Sequence, residues 1–345
     1  METNEIIITC RRSIENNPDY DAMCNNRTTS YFCNGNTHGA LLDYRMAMEN
    51  GPGTAMVFMN KGLIKAGFED YRGAIKDYDT SIKLNPNVAA TWFHRADAKR
   101  KLYKGEEAIA DYDKALEIDP LFSDALFNRG LVKAWALSRP AIEDFDKAIA
   151  LNPDCAPLYL TRGFEKYEMG NTRGALKDYE MAIMYDSEIP NANYNIGIVK
   201  IDTGDFQGAI DNFNKELSMH LQAKEIYYGR GVAKLGLQDY AGAIRDFEKV
   251  LEIDPGFCDA ISNIGFANYH LENLASAIFQ FDQSIEKRPD HAKSWFGRGI
   301  TKITLGYTKS GFDDLRKAGR LGYKPAKEVL KELGDLKEIP FENEG

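Results

Sequence analysis

A small residue followed four positions later by a bulky one recurs along the chain: Ala40/Tyr44, Ala74/Tyr78, Ala108/Tyr112, Ala141/Phe145, Ala175/Tyr179, Ala209/Phe213, Ala243/Phe247, Ala277/Phe281. Spacing of i and i+4 sets a hole and its knob on one helical face, so each pair predicts an amphipathic helix with a buried stripe. A second column of small residues, Gly62, Ala96, Gly130, Gly163, Gly197, Gly231, Gly265 and Gly299, lies a short distance before each pair. Small residues there predict a first helix that approaches the second closely. Turns such as Gly170-Asn171 and Gly204-Asp205 lie between the two, where a residue at positive φ is needed. Prolines at 52, 86, 120, 153, 255 and 289 stop the second helix and start the next unit.

The columns are displaced by 34 residues, as from Gly62, Ala74, Tyr78 and Pro86 to Ala96, Ala108, Tyr112 and Pro120. Units beginning at Asp21, Ala55, Ala89, Ser123, Ala156, Pro190, Lys224, Cys258 and Ala292 need one deletion, near Ser138 to Pro140. The reading is nine helix-turn-helix units over residues 21–322, preceded by a half-unit helix over 1–20. They are followed by a polar capping helix over 323–334 and a frayed tail over 335–345. These columns resemble the tetratricopeptide repeat, and the resemblance implies an all-α, right-handed α-solenoid. Only Trp92 and Trp295 fill the fourth position of a unit as Trp.

Charge follows the same register. The seventh position carries Arg27, Lys61, Arg95, Arg129, Arg162, Arg230 and Arg298, and the twenty-third carries Asp43, Asp77, Asp111, Asp144, Asp178, Asp246 and Asp314. The two units with Ile196 and Ile264 in place of the base have Asn212 and Gln280 in place of the acid. Joint loss predicts a repeated structural ion pair, inside a unit or across a unit boundary. A lysine column (Lys65, Lys99, Lys133, Lys166, Lys200, Lys234, Lys302) is read as stems running beside the acids, or as a track for an anionic ligand.

In solenoids of the family that the chain resembles, the stacked first helices line the concave surface, where a partner binds. Position 5 there is apolar: Met59, Phe93, Phe127, Leu160, Tyr194, Tyr228 and Phe296. If these face solvent they form an apolar patch of the kind that marks a binding site; otherwise curvature buries them against neighbouring units. Position 6 supplies Asn26, Asn60, Asn128, Asn195 and Asn263, and Asn offers donor and acceptor together to an extended peptide backbone. The alternative is that these side chains bond to helix ends of the next unit. A three-unit carboxylate clamp of the kind some family members use for chaperone C-termini is not met by any three consecutive units.

The 345 residues carry a net charge of −9, which argues against nucleic acid as a partner. No apolar stretch is long enough to span a membrane, and the acidic start, Met1 to Arg12, does not read as a signal peptide. Five scattered cysteines fit a reducing, cytoplasmic setting. The five histidines have no metal-ligand spacing and no nucleotide-binding or nucleophile motif occurs, so no catalytic residue, metal or cofactor is assigned. The expected role is a non-enzymatic scaffold or adaptor for a protein or peptide. Self-assembly into a homo-oligomer through the N-terminal half-unit and a regulatory ligand-sensing subunit are the alternatives.

Overall fold

The computed structural model describes residues 54–136, 141–219 and 223–335. The half-unit read over 1–20, the unit from Asp21 with its Asn26, and the end of the tail lie outside these residues. Every element among the described residues is helical, and the fold is an all-α solenoid type built of helix-turn-helix repeats. It divides into two compact units, one through Met169 and the other from Gly170.

The first unit contains α1 (Ala55–Gly67), α2 (Tyr71–Leu84), α3 (Ala89–Lys101), α4 (Gly105–Ile118), α5 (Ser123–Leu131), α6 (Ile142–Leu151) and α7 (Ala156–Glu168). α5 continues into a π-helical segment, Val132–Ala136. The second unit contains α8 (Thr172–Tyr185), α9 (Ala192–Asp202), α10 (Phe206–Met219), α11 (Lys224–Gly236), α12 (Tyr240–Ile253), α13 (Cys258–His270), α14 (Leu274–Lys287), α15 (Ala292–Thr304), α16 (Thr308–Arg320) and α17 (Lys324–Asp335). Within each unit consecutive helices pack as antiparallel neighbours, and the second helix of one hairpin packs on the first helix of the next.

The knobs are fully buried: Tyr78, Tyr112, Phe145, Phe213, Phe247 and Phe281 have no exposed surface. Burial of each ring contributes about 2–3 kcal/mol. The glycines opposite leave room for them, since a Cβ at Gly231 would lie 2.7 Å from the Phe247 ring and one at Gly265 2.6 Å from Phe281. The turn between helices adopts positive φ at Gly170, Gly204 and Gly306, and equally at Glu69, Tyr103, Gln238 and Glu272. The residue after it often caps the second helix: Asp70, Asn171, Asp205 and Asp239 accept from the amides of Gly73, Gly174, Gly208 and Gly242.

At the other end of a hairpin, the fourth-position aromatic fastens the proline turn before it. Trp92 and Trp295 donate Nε1–H to the carbonyls of Pro86 and Pro289, and the Tyr159 hydroxyl donates to that of Pro153, all at 2.8 Å. Asn193 stands at this position in α9. The N-terminus of α9 is held instead by the buried Glu216 of α10, whose carboxylate accepts from the amides of Asn191 at 2.7 Å and Tyr194 at 3.3 Å. A carboxylate suits that place because the first amides of a helix have no partner within it and carry partial positive charge.

Candidate functional site

The charged columns are occupied structurally. Arg95 forks Asp111 of its own hairpin through Nε and Nη2, at 2.8 and 2.7 Å, while Nη1 reaches Asp79 of the preceding hairpin at 2.6 Å. Arg129 repeats this with Asp144 and Asp113, and Arg298 with Asp314 and Asp282. Arg230 does so with Asp246 and Asn214. The ion pair read from the sequence therefore lies inside a hairpin, and the same arginine reaches across the boundary to a second column, two residues after the acid column, at Asp79, Asp113, Asn214 and Asp282. Trp92 and Trp295 stack under the guanidinium carbons of Arg95 and Arg298, at 4.7 and 4.6 Å.

Lysines complete the cluster, with Lys65, Lys99, Lys133, Lys234 and Lys302 at 2.6 to 2.9 Å from Asp77, Asp111, Asp144, Asp246 and Asp314. Burial alone would raise the Asp144 pKa, but the hydrogen bonds from Arg129 and Lys133 outweigh it and hold the carboxyl below its ordinary value. Those five ammonium groups are neutralised within the fold, which leaves them no role as an anion track. Where Ile196 replaces the base, Asn212 donates instead to Asn193 at 3.1 Å, a buried neutral pair in place of the ionic one.

The apolar row on the first helices is not an exposed strip. Met59 is buried, and Phe93, Phe127, Leu160, Tyr194, Tyr228 and Phe296 are half-buried. Their rings lean on the knobs of their own hairpins, Phe93 on Tyr112, Phe127 on Phe145, Tyr194 on Phe213 and Tyr228 on Phe247, with centroids 5.7 to 5.9 Å apart. Phe296 packs on Tyr323 at 5.1 Å. A side chain one turn before the close-packed glycine column can reach the knob as well as the surface, so part of each ring belongs to the core.

The asparagines divide. Asn128 and Asn195 are half-buried, while Asn60 and Asn263 are buried at 2% exposure. Asn60 Oδ1 has no hydrogen-bond partner. Asn263 is fully engaged along the first-helix face of the second unit: its Nδ2 donates to the Tyr228 hydroxyl at 3.3 Å, and its Oδ1 accepts from Lys293 Nζ at 2.7 Å. Tyr228, Asn263 and Lys293 come from α11, α13 and α15, the first helices of three successive hairpins. The Lys293 ammonium also lies 5.5 Å from the Phe266 ring centroid.

Burial lowers the Lys293 pKa, opposed by the field of Asp259. Asp259 itself is engaged by Arg288 at 3.4 Å and His291 at 3.1 Å, and no carboxylate among the described residues forms an ion pair with Lys293. This two-hairpin relation differs from the three-unit clamp, whose positions the sequence does not fill. Its only signal is the 30-residue spacing from Asn263 to Lys293.

A second polar group was also missed. His291 Nδ1 lies 2.7 Å from Ser294 Oγ and 3.0 Å from Ser284 Oγ, and its Nε2 lies 3.1 Å from Asp259 Oδ1. The residue types are those of a nucleophilic triad, but Ser284 and Ser294 have no exposed surface, so a substrate cannot reach either hydroxyl. The network is a joint between hairpins. Among the described residues no three side chains cluster to hold a metal ion, and no helix is long and apolar enough to cross a membrane.

Two segments, residues 59–122 and 225–257, match the tetratricopeptide repeat family. No curated protein sequence matches the chain. Among solved structures the chain is similar to PilW, a type IV pilus biogenesis factor, at 20% identity and a TM-score of 0.53, over 58% of this chain and 94% of that one. It is similar to the Cut9-Hcn1 hetero-tetramer of the APC/C at 12% identity and a TM-score of 0.54, over 85% of this chain and 59% of that one. YrrB, described as a TPR protein with an unusual peptide-binding site, aligns at 23% identity and a TM-score of 0.46, over 55% of this chain and 99% of that one. The matched segments carry tetratricopeptide repeats, and the small-residue, knob and proline columns continue the same pattern through both units.

Proposed function

We propose that this protein is a non-enzymatic scaffold that holds an extended segment of a protein partner against the first-helix face of its second unit, with Lys293 receiving a carboxylate of that segment. Proteins of this repeat family generally act in protein–protein interaction. The observation that carries the more specific reading is Lys293: a half-buried ammonium whose direct hydrogen bond goes to a neutral amide, Asn263 Oδ1. The acids of the repeat columns are engaged with other bases, so a partner carboxylate supplies the missing countercharge. Tyr228, Phe266 and Phe296, half-buried beside it, offer ring surface to apolar residues of the same segment.

An array of extended dodecapeptides, acidic, neutral and basic, tests this directly. Retention of peptides rich in Asp and Glu by the wild-type chain supports the reading. Equal retention of all three classes, or none, contradicts it.

A further inference from the structure

Lys293 passes over a stronger acceptor than the one it uses. Asp259 and Asn263 stand four residues apart on α13, so their side chains share one face, about 5–6 Å apart at Cβ. An ammonium bonds more strongly to a carboxylate than to a neutral amide. The column lysines 65, 99, 133, 234 and 302 follow that preference, and so does Lys224, which lies 2.7 Å from Asp254. Lys293 instead donates to Asn263 Oδ1.

Both oxygens of Asp259 are already taken. Oδ1 accepts from His291 Nε2 at 3.1 Å and Oδ2 from Arg288 Nη2 at 3.4 Å. The buried hydroxyls of Ser284 and Ser294 hold the His291 ring at Nδ1, and burial lowers its pKa. The neutral ring is assigned its proton on Nε2, because a carboxylate can only accept. The repeat does not require this arrangement. The residues matching Arg288 and His291 are Asp119 and Phe122 in the first unit, and Asp254 and Phe257 one hairpin earlier. Two donors that other hairpins do without therefore converge on the carboxylate next to Lys293.

We propose that His291 and Arg288 are positioning residues that hold Asp259, the chain's own competitor, off Lys293 and so keep that ammonium open to a partner's carboxylate. Released from them, Asp259 pairs with Lys293 and closes the site. With Asp259 held, a partner carboxylate has only the neutral Asn263 to displace. The inference rests on the reading of Lys293 as a carboxylate site, but its first measurement needs no partner.

The test compares the full chain with His291→Phe and Arg288→Met, each alone and with Asp259→Asn added. His291→Phe copies Phe122 and Phe257, which stand at the same N-cap place, and Arg288 is exposed, so both variants are expected to fold. Lysine ¹⁵Nζ NMR of the free chain reads the titration midpoint of Lys293, assigned with Lys293→Met. His291 is neutral throughout that titration, so His291→Phe changes no charge. The midpoint is expected to rise by about one pH unit in His291→Phe, as a new ion pair requires, and to fall back when Asp259→Asn is added. At pH 8 the affinity for an acetylated dodecapeptide of alternating Glu and Ala falls at least fivefold in His291→Phe. It recovers by more than Asp259→Asn adds to the wild type. An unchanged midpoint in either single variant overturns the proposal, as does peptide binding that is measurable and equal in wild type and His291→Phe. A peptide that binds no variant sinks the carboxylate-site reading alone, since the midpoint still decides whether His291 and Arg288 hold Asp259 off Lys293.

Discussion

Arg95 and Asp79 lie sixteen residues apart and meet across a hairpin boundary, Nη1 to Oδ1, at 2.6 Å. The same guanidinium forks Asp111 on the other side, so one planar side chain measures the distance between successive hairpins. Repetition at Arg129, Arg230 and Arg298 turns a local bond into a register device for each stretch of the array.

Breaking one acid of this device leaves buried charge behind. Asp246→Asn weakens the partners of both Arg230 and Lys234, and a loss of about 2–3 kcal/mol is expected in urea unfolding. Adding Arg230→Ile recreates the Ile196 and Asn212 combination that α9 and α10 already contain. The double variant should recover at least 1 kcal/mol over the sum of the two single changes.

Gly231→Ala tests the close approach of α11 and α12. On an isolated helix the change stabilises by about 1 kcal/mol. Here the added methyl meets the Phe247 ring at 2.7 Å, so a net loss of about 1–3 kcal/mol is expected. Gly231→Ala combined with Phe247→Leu should lose less than the two changes separately.

The positive-φ turns predict changes of opposite sign. Gly306, at φ 89°, should cost about 1 kcal/mol when changed to Ala. Gln238, at φ 62°, should lose nothing when changed to Gly and gain up to about 1 kcal/mol, read as a shift in the unfolding midpoint.

Stability should fall on acidification. His94 lies against the rings of Tyr78 and Phe93, and burial pulls its pKa down to about 4, only partly opposed by Asp97. Burial also lowers the pKa of His291, with Asp259 opposing. A lowered histidine binds its proton later in the folded chain than in the unfolded one, so stability is complete above about pH 6.5 and declines toward pH 4. His94→Gln should remove roughly 2 kcal/mol of that decline, measured as the difference in unfolding free energy between pH 7 and pH 4.5.

The fold class was legible because close packing writes itself into residue size. Gly231 opposite Phe247 and Gly265 opposite Phe281 leave no other choice at those places. The acid–base pairing was legible from the joint loss at Ile196 and Asn212, but not its reach to Asp79 or Asp113, which lie two residues beyond the expected column. Binding residues were harder to read. Position 5 is apolar for two reasons at once, surface and knob contact, and a period cannot separate them. Lys293 looked like one lysine among many because what distinguishes it is the neutral partner, Asn263, on another hairpin.

The most direct measurement is the dissociation constant of the acidic peptide that the array selects, for the wild-type chain, Lys293→Met and Lys249→Met. Lys249 lies exposed on α12 and pairs with Glu252, so it serves as the control for general charge. The account predicts at least a tenfold loss for Lys293→Met, with the folded state intact and Lys249→Met unchanged. Equal affinity in all three, or equal loss in both variants, would contradict a binding site on the first-helix face at Lys293.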